Sequence, residues 1–169
     1  MDSQFRQVLA VVLIAIGVFF LSRATVQSFV VLGNSMQPSF EDGQRLLVSK
    51  VVYRLHEPRI GEVIVFRPLT GSRDFIKRII ALPGDTIEIK DGVVYVNDSA
   101  LDEPYIAAAP RYDLPREEIP EGEYFVLGDN RNNSNDSHSW GTLPRENIIG
   151  KVWLSIWPPG TIPGYNPQE

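Results

Sequence analysis

Cysteine is absent from the 169-residue chain. Disulfide staples, thiolate metal sites and cysteine nucleophiles are therefore excluded, although the compartment is not, because an exported chain can do without disulfides. Histidine is scarce: His56 and His138 are the two that occur, so any mechanism that needs an imidazole has few candidates. Lysine is confined to Lys50, Lys77, Lys90 and Lys151. Positive charge is in deficit overall, with a formal net charge of -5. That leaves no electrostatic footprint for nucleic acid. Helical periodicity is missing beyond the first two dozen residues. In its place 13 prolines and 13 glycines are spread along the chain, a pattern of short strands joined by turns. The length suits one domain with a real core.

What is present begins with an apolar segment. Sixteen uncharged residues, Gln7 to Ser22, lie between Arg6 and Arg23, and Val8 to Leu21 is apolar apart from Gly17. At ~1.5 Å per residue this covers about 24 Å as a helix, short of a ~30 Å hydrocarbon core, with the flanking arginines able to snorkel toward the headgroups. A membrane anchor is the expectation. A cleaved signal peptide is the competing reading, since Ser22-Arg23-Ala24 loosely resembles a small-x-small cleavage site. A buried core helix is the third. The expected organisation is a short tail (1–6), a transmembrane anchor (7–26) and a β-rich domain (27–169). Positive charge at both ends leaves orientation open.

Beyond the anchor the chain reads as strands. Ser28–Leu32 is apolar and stops at Gly33-Asn34. Leu46–Tyr53, Glu62–Arg67 and Asp74–Leu82 follow, the last two ended by prolines. Thr86–Lys90 and Val93–Asn97 flank Asp91-Gly92, a type I′ hairpin signal. Residues 98–122, rich in Asp, Glu and Pro, read as surface loop. Tyr124–Leu127 and Gly150–Trp157 complete the set. The sum is a mainly β domain, an antiparallel curled sheet or partial barrel.

Three places could carry chemistry. Ser35 follows Gly33-Asn34, residues that tolerate a sharp turn and would expose both its hydroxyl and its N–H. It could equally be an ordinary turn serine. Lys77 shares its strand face with Phe75 and Ile79, so a charged amine there would be costly and its pKa should fall. A neutral amine can take a proton from a serine hydroxyl. Lowering a lysine from ~10.4 to near 8 costs about 3 kcal/mol. The competing reading is a lysine that snorkels at a sheet edge. Gly128–Trp140 is dense in Asp, Asn and Ser and must be cross-linked by side-chain-to-backbone bonds, either as a solvated loop or as a rigid shelf beneath a site. It lacks the EF-hand spacing, so a calcium loop is not expected. Nothing marks His56 or His138 as part of a triad with Asp129 or Asp136. Neither a metal nor a cofactor is expected.

In order, these segments resemble the type I signal peptidases, serine-lysine enzymes that remove signal peptides from exported proteins. Gly33-Asn34-Ser35-Met36-Gln37-Pro38 resembles their nucleophile motif, with Ser-Met-x-Pro as its signature. Residues 59–68 (RIGEVIVFRP) resemble the strand that follows it. Residues 75–85 (FIKRIIALPGD) resemble the lysine motif, and residues 128–137 (GDNRNNSNDS) the last one. The resemblance covers nearly the whole chain. It implies Ser35 as nucleophile and Lys77 as general base, then as general acid toward the leaving amine. It implies that Ser134 hydrogen-bonds and orients the lysine, and that Asn34 and Met36 join Ser134 in supporting the oxyanion hole and the dyad. Asp129, Arg131, Asp136 and Ser137 would stiffen the loop. Val31, Phe75 and Ile76 would line shallow pockets that admit alanine, with substrate bound extended against strand edges. The partners implied are preprotein signal peptides and the lipid bilayer, with the domain on the extracytoplasmic face of a plasma membrane, or in a thylakoid lumen.

Two departures stand out. Some members of that family carry a serine two positions before the nucleophile, where its hydroxyl adds to the oxyanion hole. Here that residue is Gly33. An arginine often follows Asp-Ser in the last motif, where this chain has His138. The competing class is a catalytically inactive, membrane-tethered β module that binds peptides.

Overall fold

The structure, a computed structural model, describes residues 3–69 and 71–160; at 3, 18–24 and 160 it describes the backbone alone. The expected domain's last stretch, 161–169, lies outside the described residues.

The chain opens with helix α1 (Ser3–Thr25) and passes directly into strand β1 (Val26–Val30). The helix thus starts inside the expected tail. From Gln4 to Gly17 every side chain is exposed, and the apolar ones ring the helix rather than form a stripe. Among the described residues no helix is long and apolar enough to cross a membrane.

Strands β2 (Arg45–Ser49), β3 (Val63–Phe66) and β4 (Phe75–Ala81) follow, then the hairpin of β5 (Thr86–Lys90) and β6 (Val93–Val96). Asp91 in its turn has φ 51°, as a type I′ turn requires. Next come β7 (Ser99–Ala100), β8 (Leu114–Glu118) and β9 (Glu123–Leu127). A four-residue helix α2 (Ser137–Trp140) leads to β10 (Leu143–Pro144), the long β11 (Ile148–Trp157) and β12 (Pro159–Gly160).

The strands form two antiparallel sheets. The larger runs β1-β2-β11-β3-β4-β9-β10, with β12 beside β11; the smaller runs β7-β6-β5-β8. Bulges or irregularities interrupt the ladders of β11 with β2 and β3 and of β4 with β9, the kind of feature that bends a strand and increases its twist. Alternation assigns the faces. Val63 and Val65 pack with Val48, Met36 and Phe40 on one side, while Ile64 and Phe66 pack with Ile79 and Val126 on the other. A third cluster, with Ile87, Ile89 and Val94 against Ile80 and Phe125, joins the small sheet to the large one.

The acidic stretch 98–122 departs from the expectation of surface loop. It holds β7 and β8, and Tyr105 and Ile119 are buried. The strand Leu46–Tyr53 is likewise shorter than expected, because the chain turns into a 3-10 segment at Val52–Arg54.

Candidate active site

The site is built where two short segments meet. After β1 the chain enters the turn 31–40, which is pinned from inside by Val31, Met36 and Phe40 in the core. Gly33 has φ 87°, a conformation that favours glycine, and its N–H donates to Asp42 Oδ1 at 2.7 Å. The N–H of Ser35, by contrast, has no partner among the described residues.

From the other side comes β4. Residues 75–77 pair with β3 on one edge, but β9 reaches only to Arg78, so the outer edge of 75–77 is unpaired among the described strands. Lys77 is 3% exposed. Its Nζ lies 2.7 Å from Ser35 Oγ and donates to the Ile76 carbonyl at 2.9 Å, above the Phe75 ring. Burial pushes its pKa down from 10.5 to about 8, with the charges of Asp136 and Asp129 holding it from falling further. An amine with that pKa is partly neutral near physiological pH and can accept a proton from the hydroxyl it touches.

The 128–140 loop closes the site from behind. Asn130 clamps the serine turn: its N–H donates to the Ser35 carbonyl at 3.0 Å and its Nδ2 to the Asn34 carbonyl at 3.0 Å. Gly128 leaves no room for a Cβ, which would overlap Ser134 Oγ and the Ser35 carbonyl. Asp129 is fully buried and takes two hydrogen bonds from Arg78, at 2.9 and 2.7 Å. Arg131 pairs with Glu103 at 2.8 and 2.5 Å and bonds the Gly128 carbonyl. Asp136 accepts the Gly128 N–H at 2.8 Å, and Ser137 Oγ accepts the Val126 N–H at 3.0 Å.

One expectation fails. Ser134 Oγ is buried against Gly128 but makes no hydrogen bond among the described residues, so the expected bond to Lys77 is not formed there. The amine is already engaged by Ser35 and the Ile76 carbonyl. Neither histidine approaches Ser35: His56 meets Tyr53 and the Glu57 carbonyl, and His138 meets Asp136 and Tyr112. Sequence reasoning gave no role to Arg78, Glu103 or Asn130. Arg78 sat in plain view beside Lys77, and an arginine on an apolar strand was the signal that it needed a buried partner. Among the described residues no cluster of three or more His, Cys, Asp or Glu could hold a metal.

A groove of about 250 Å³ runs up to the Ser35–Lys77 pair, walled by Val31 and Leu32 on one side and by Phe75 and Ile76 on the other. The family model for signal peptidase, peptidase S26, matches residues 4–157. The chain belongs to that family. As a member of the signal peptidases it is a serine endopeptidase of the type I class. A Synechocystis protein named "Probable signal peptidase I-1" is 49% identical over 133 residues, spanning 74% of this chain and 68% of that protein. "Thylakoidal processing peptidase 1, chloroplastic" of Arabidopsis thaliana is 40% identical, spanning 76% of this chain but 41% of that protein. The crystal structure of a signal peptidase I from Enterococcus faecalis matches with a TM-score of 0.54 at 30% identity, covering 58% of this chain and 98% of that one. The fold of curled antiparallel sheets is thus that of the signal peptidases.

Proposed function

We propose that this chain is a membrane-anchored endopeptidase that cleaves signal peptides from exported preproteins after small residues, of the Ala-x-Ala type, by a Ser35/Lys77 dyad. The observation that carries the reading is the buried amine of Lys77 at 2.7 Å from Ser35 Oγ. Neutral Lys77 takes the hydroxyl proton as Ser35 Oγ attacks the scissile carbonyl. The tetrahedral oxyanion forms beside the unpartnered Ser35 N–H. The resulting ammonium returns its proton to the leaving amine, and the acyl-enzyme is released by a water that Lys77 deprotonates in turn.

The substrate lies extended in the groove and hydrogen-bonds the open edge of β4 at Phe75–Lys77. Val31, Phe75 and Ile76 crowd the positions next to the dyad, which favours small side chains there. Asp129, Arg131, Asp136 and Ser137 hold the supporting loop through buried bonds.

We place the anchor at α1: its described residues alone fall short of a membrane span, and the support is that its apolar side chains from Gln4 to Gly17 are exposed on all sides. Trp153 and Trp157, exposed on β11, suit the interfacial layer of the same bilayer. The catalytic domain sits on the extracytoplasmic face of the plasma membrane or on the lumenal face of a thylakoid.

The test is processing of a preprotein with an Ala-x-Ala site by the full chain in detergent micelles. Cleavage after the second alanine is expected, and it should fall at least a hundredfold when that alanine becomes Phe. Failure to cleave either preprotein, with binding retained, would favour the inactive peptide-binding module.

A further inference from the structure

Behind the dyad a chain of contacts leads to a group that can titrate. The Asp136 carboxylate is fully buried. One oxygen accepts the Gly128 N–H at 2.8 Å; the other lies 2.6 Å from His138 Nδ1 and also accepts the His138 N–H at 3.3 Å. The imidazole is held on its other sides. It stacks on Tyr112 with ring centroids 4.1 Å apart and planes 18° apart, and its Nε2 is 2.9 Å from Ser139 Oγ. The ring cannot swing away without losing all three contacts, yet it is 22% exposed, so protons can exchange with solvent.

Resting on the Ser35–Lys77 reading, we propose that His138 is a positioning residue that acts through Asp136 to set the charge felt by Lys77. Two carboxylates act on that amine, Asp136 first and Asp129 second. Asp129 is matched by the Arg78 guanidinium, which donates two hydrogen bonds to it. Arg131 is matched by Glu103, itself 6% exposed. Tyr112, facing the ring from the segment before β8, is held neutral because burial pushes its phenol up. Among the described residues, the one side-chain partner of Asp136 is therefore His138, an imidazole, the side-chain type that can carry or release a proton. Protonated, His138 neutralises Asp136, and Lys77 gives up its proton more readily. Neutral, it leaves Asp136 uncompensated, and Lys77 holds its proton more tightly. An arginine here would keep Asp136 compensated at every pH, whereas a histidine makes the compensation depend on pH.

The experiment compares His138→Arg, of fixed charge, with His138→Gln, fixed neutral, in the full chain in detergent micelles. Two quantities are read against pH: cleavage of an Ala-x-Ala peptide and the NMR titration of the Lys77 side chain in protein labelled with 13C-lysine. The Lys77 midpoint should be lower in the arginine variant by about half to one pH unit, the size expected of one charge at a partly buried site. The wild type should track the arginine variant at acid pH and the glutamine variant at alkaline pH, with KM nearly unchanged. His138→Lys supplies the fixed charge should the arginine variant not fold. Coincident Lys77 midpoints, with activity reduced equally at every pH, would overturn the inference and leave His138 a packing residue. A shifted Lys77 midpoint without a matching shift in activity would uphold the coupling and refute Lys77 as the base.

Discussion

At Lys77 the site costs the fold stability. Its pKa falls from 10.5 in the open chain to about 8 in the folded one. The unfolded state therefore binds the proton more strongly. The penalty is full below pH 8, about 3 kcal/mol, and it fades as the pH rises from 8 toward 10.5, so this group makes stability rise across that window. Lys77→Met should remove the penalty: the variant should be more stable than the parent by about 2–3 kcal/mol at pH 7, and the gap should narrow to about 1 kcal/mol or less by pH 10. Urea unfolding at the two pH values checks this. The sequence offered both residues as candidates, Ser35 from its turn and Lys77 from its apolar strand, with an ordinary turn serine and a snorkelling lysine left open, and only the resemblance to the signal peptidases paired them. Their contact, between residues 42 positions apart, was not legible from local pattern, because it depends on how the large sheet curls the serine turn over β4. The Ser134–Lys77 bond was inferred from resemblance, and Ser134 Oγ has no hydrogen-bond partner among the described residues.

Among the elements, the 128–140 loop and the acidic segment before it act together. Arg78 and Asp129 have no exposed side-chain area, and the Arg78 guanidinium stacks over Tyr105 at 4.0 Å while donating to the Gly61 carbonyl at 2.8 Å. Asp129→Ala should cost about 3–5 kcal/mol, because it strands a buried cation. The double replacement Arg78→Met/Asp129→Leu should recover most of that stability, which denaturant midpoints of the three proteins would show. The hairpin of β5 and β6 and the strands β3 and β4 were readable because alternation and turn residues agree there. Strand β8 was not: Leu-Pro-Arg-Glu-Glu carries a proline and three charges, which an edge strand tolerates but which reads as loop. Glu103 was hidden for a similar reason. A carboxylate in an acidic run looks solvated, and its partner Arg131 lies 28 residues away.

For the molecule as a whole, the proposal joins a β domain to a lipid surface through α1. If the helix enters the bilayer, Leu13→Asp together with Ile14→Asp should disfavour insertion by several kcal/mol. The variant should then stay with the soluble fraction when liposomes are floated on a density gradient, while the parent floats. Apolarity was readable from the sequence. The direct passage of the helix at Thr25 into β1 at Val26 was not, and it ties the groove to the helix end by a short path: Ser35 lies just beyond that strand.

The most direct test of the central claim is the pH dependence of preprotein cleavage by the intact protein, Ser35→Ala, Lys77→Ala and the double His56→Ala/His138→Ala variant. The account predicts that kcat/KM for the intact protein rises with a midpoint near pH 8. It predicts that both dyad variants lose at least a thousandfold, and that the double histidine variant still cleaves. Cleavage by Lys77→Ala alongside a silent histidine variant would contradict it.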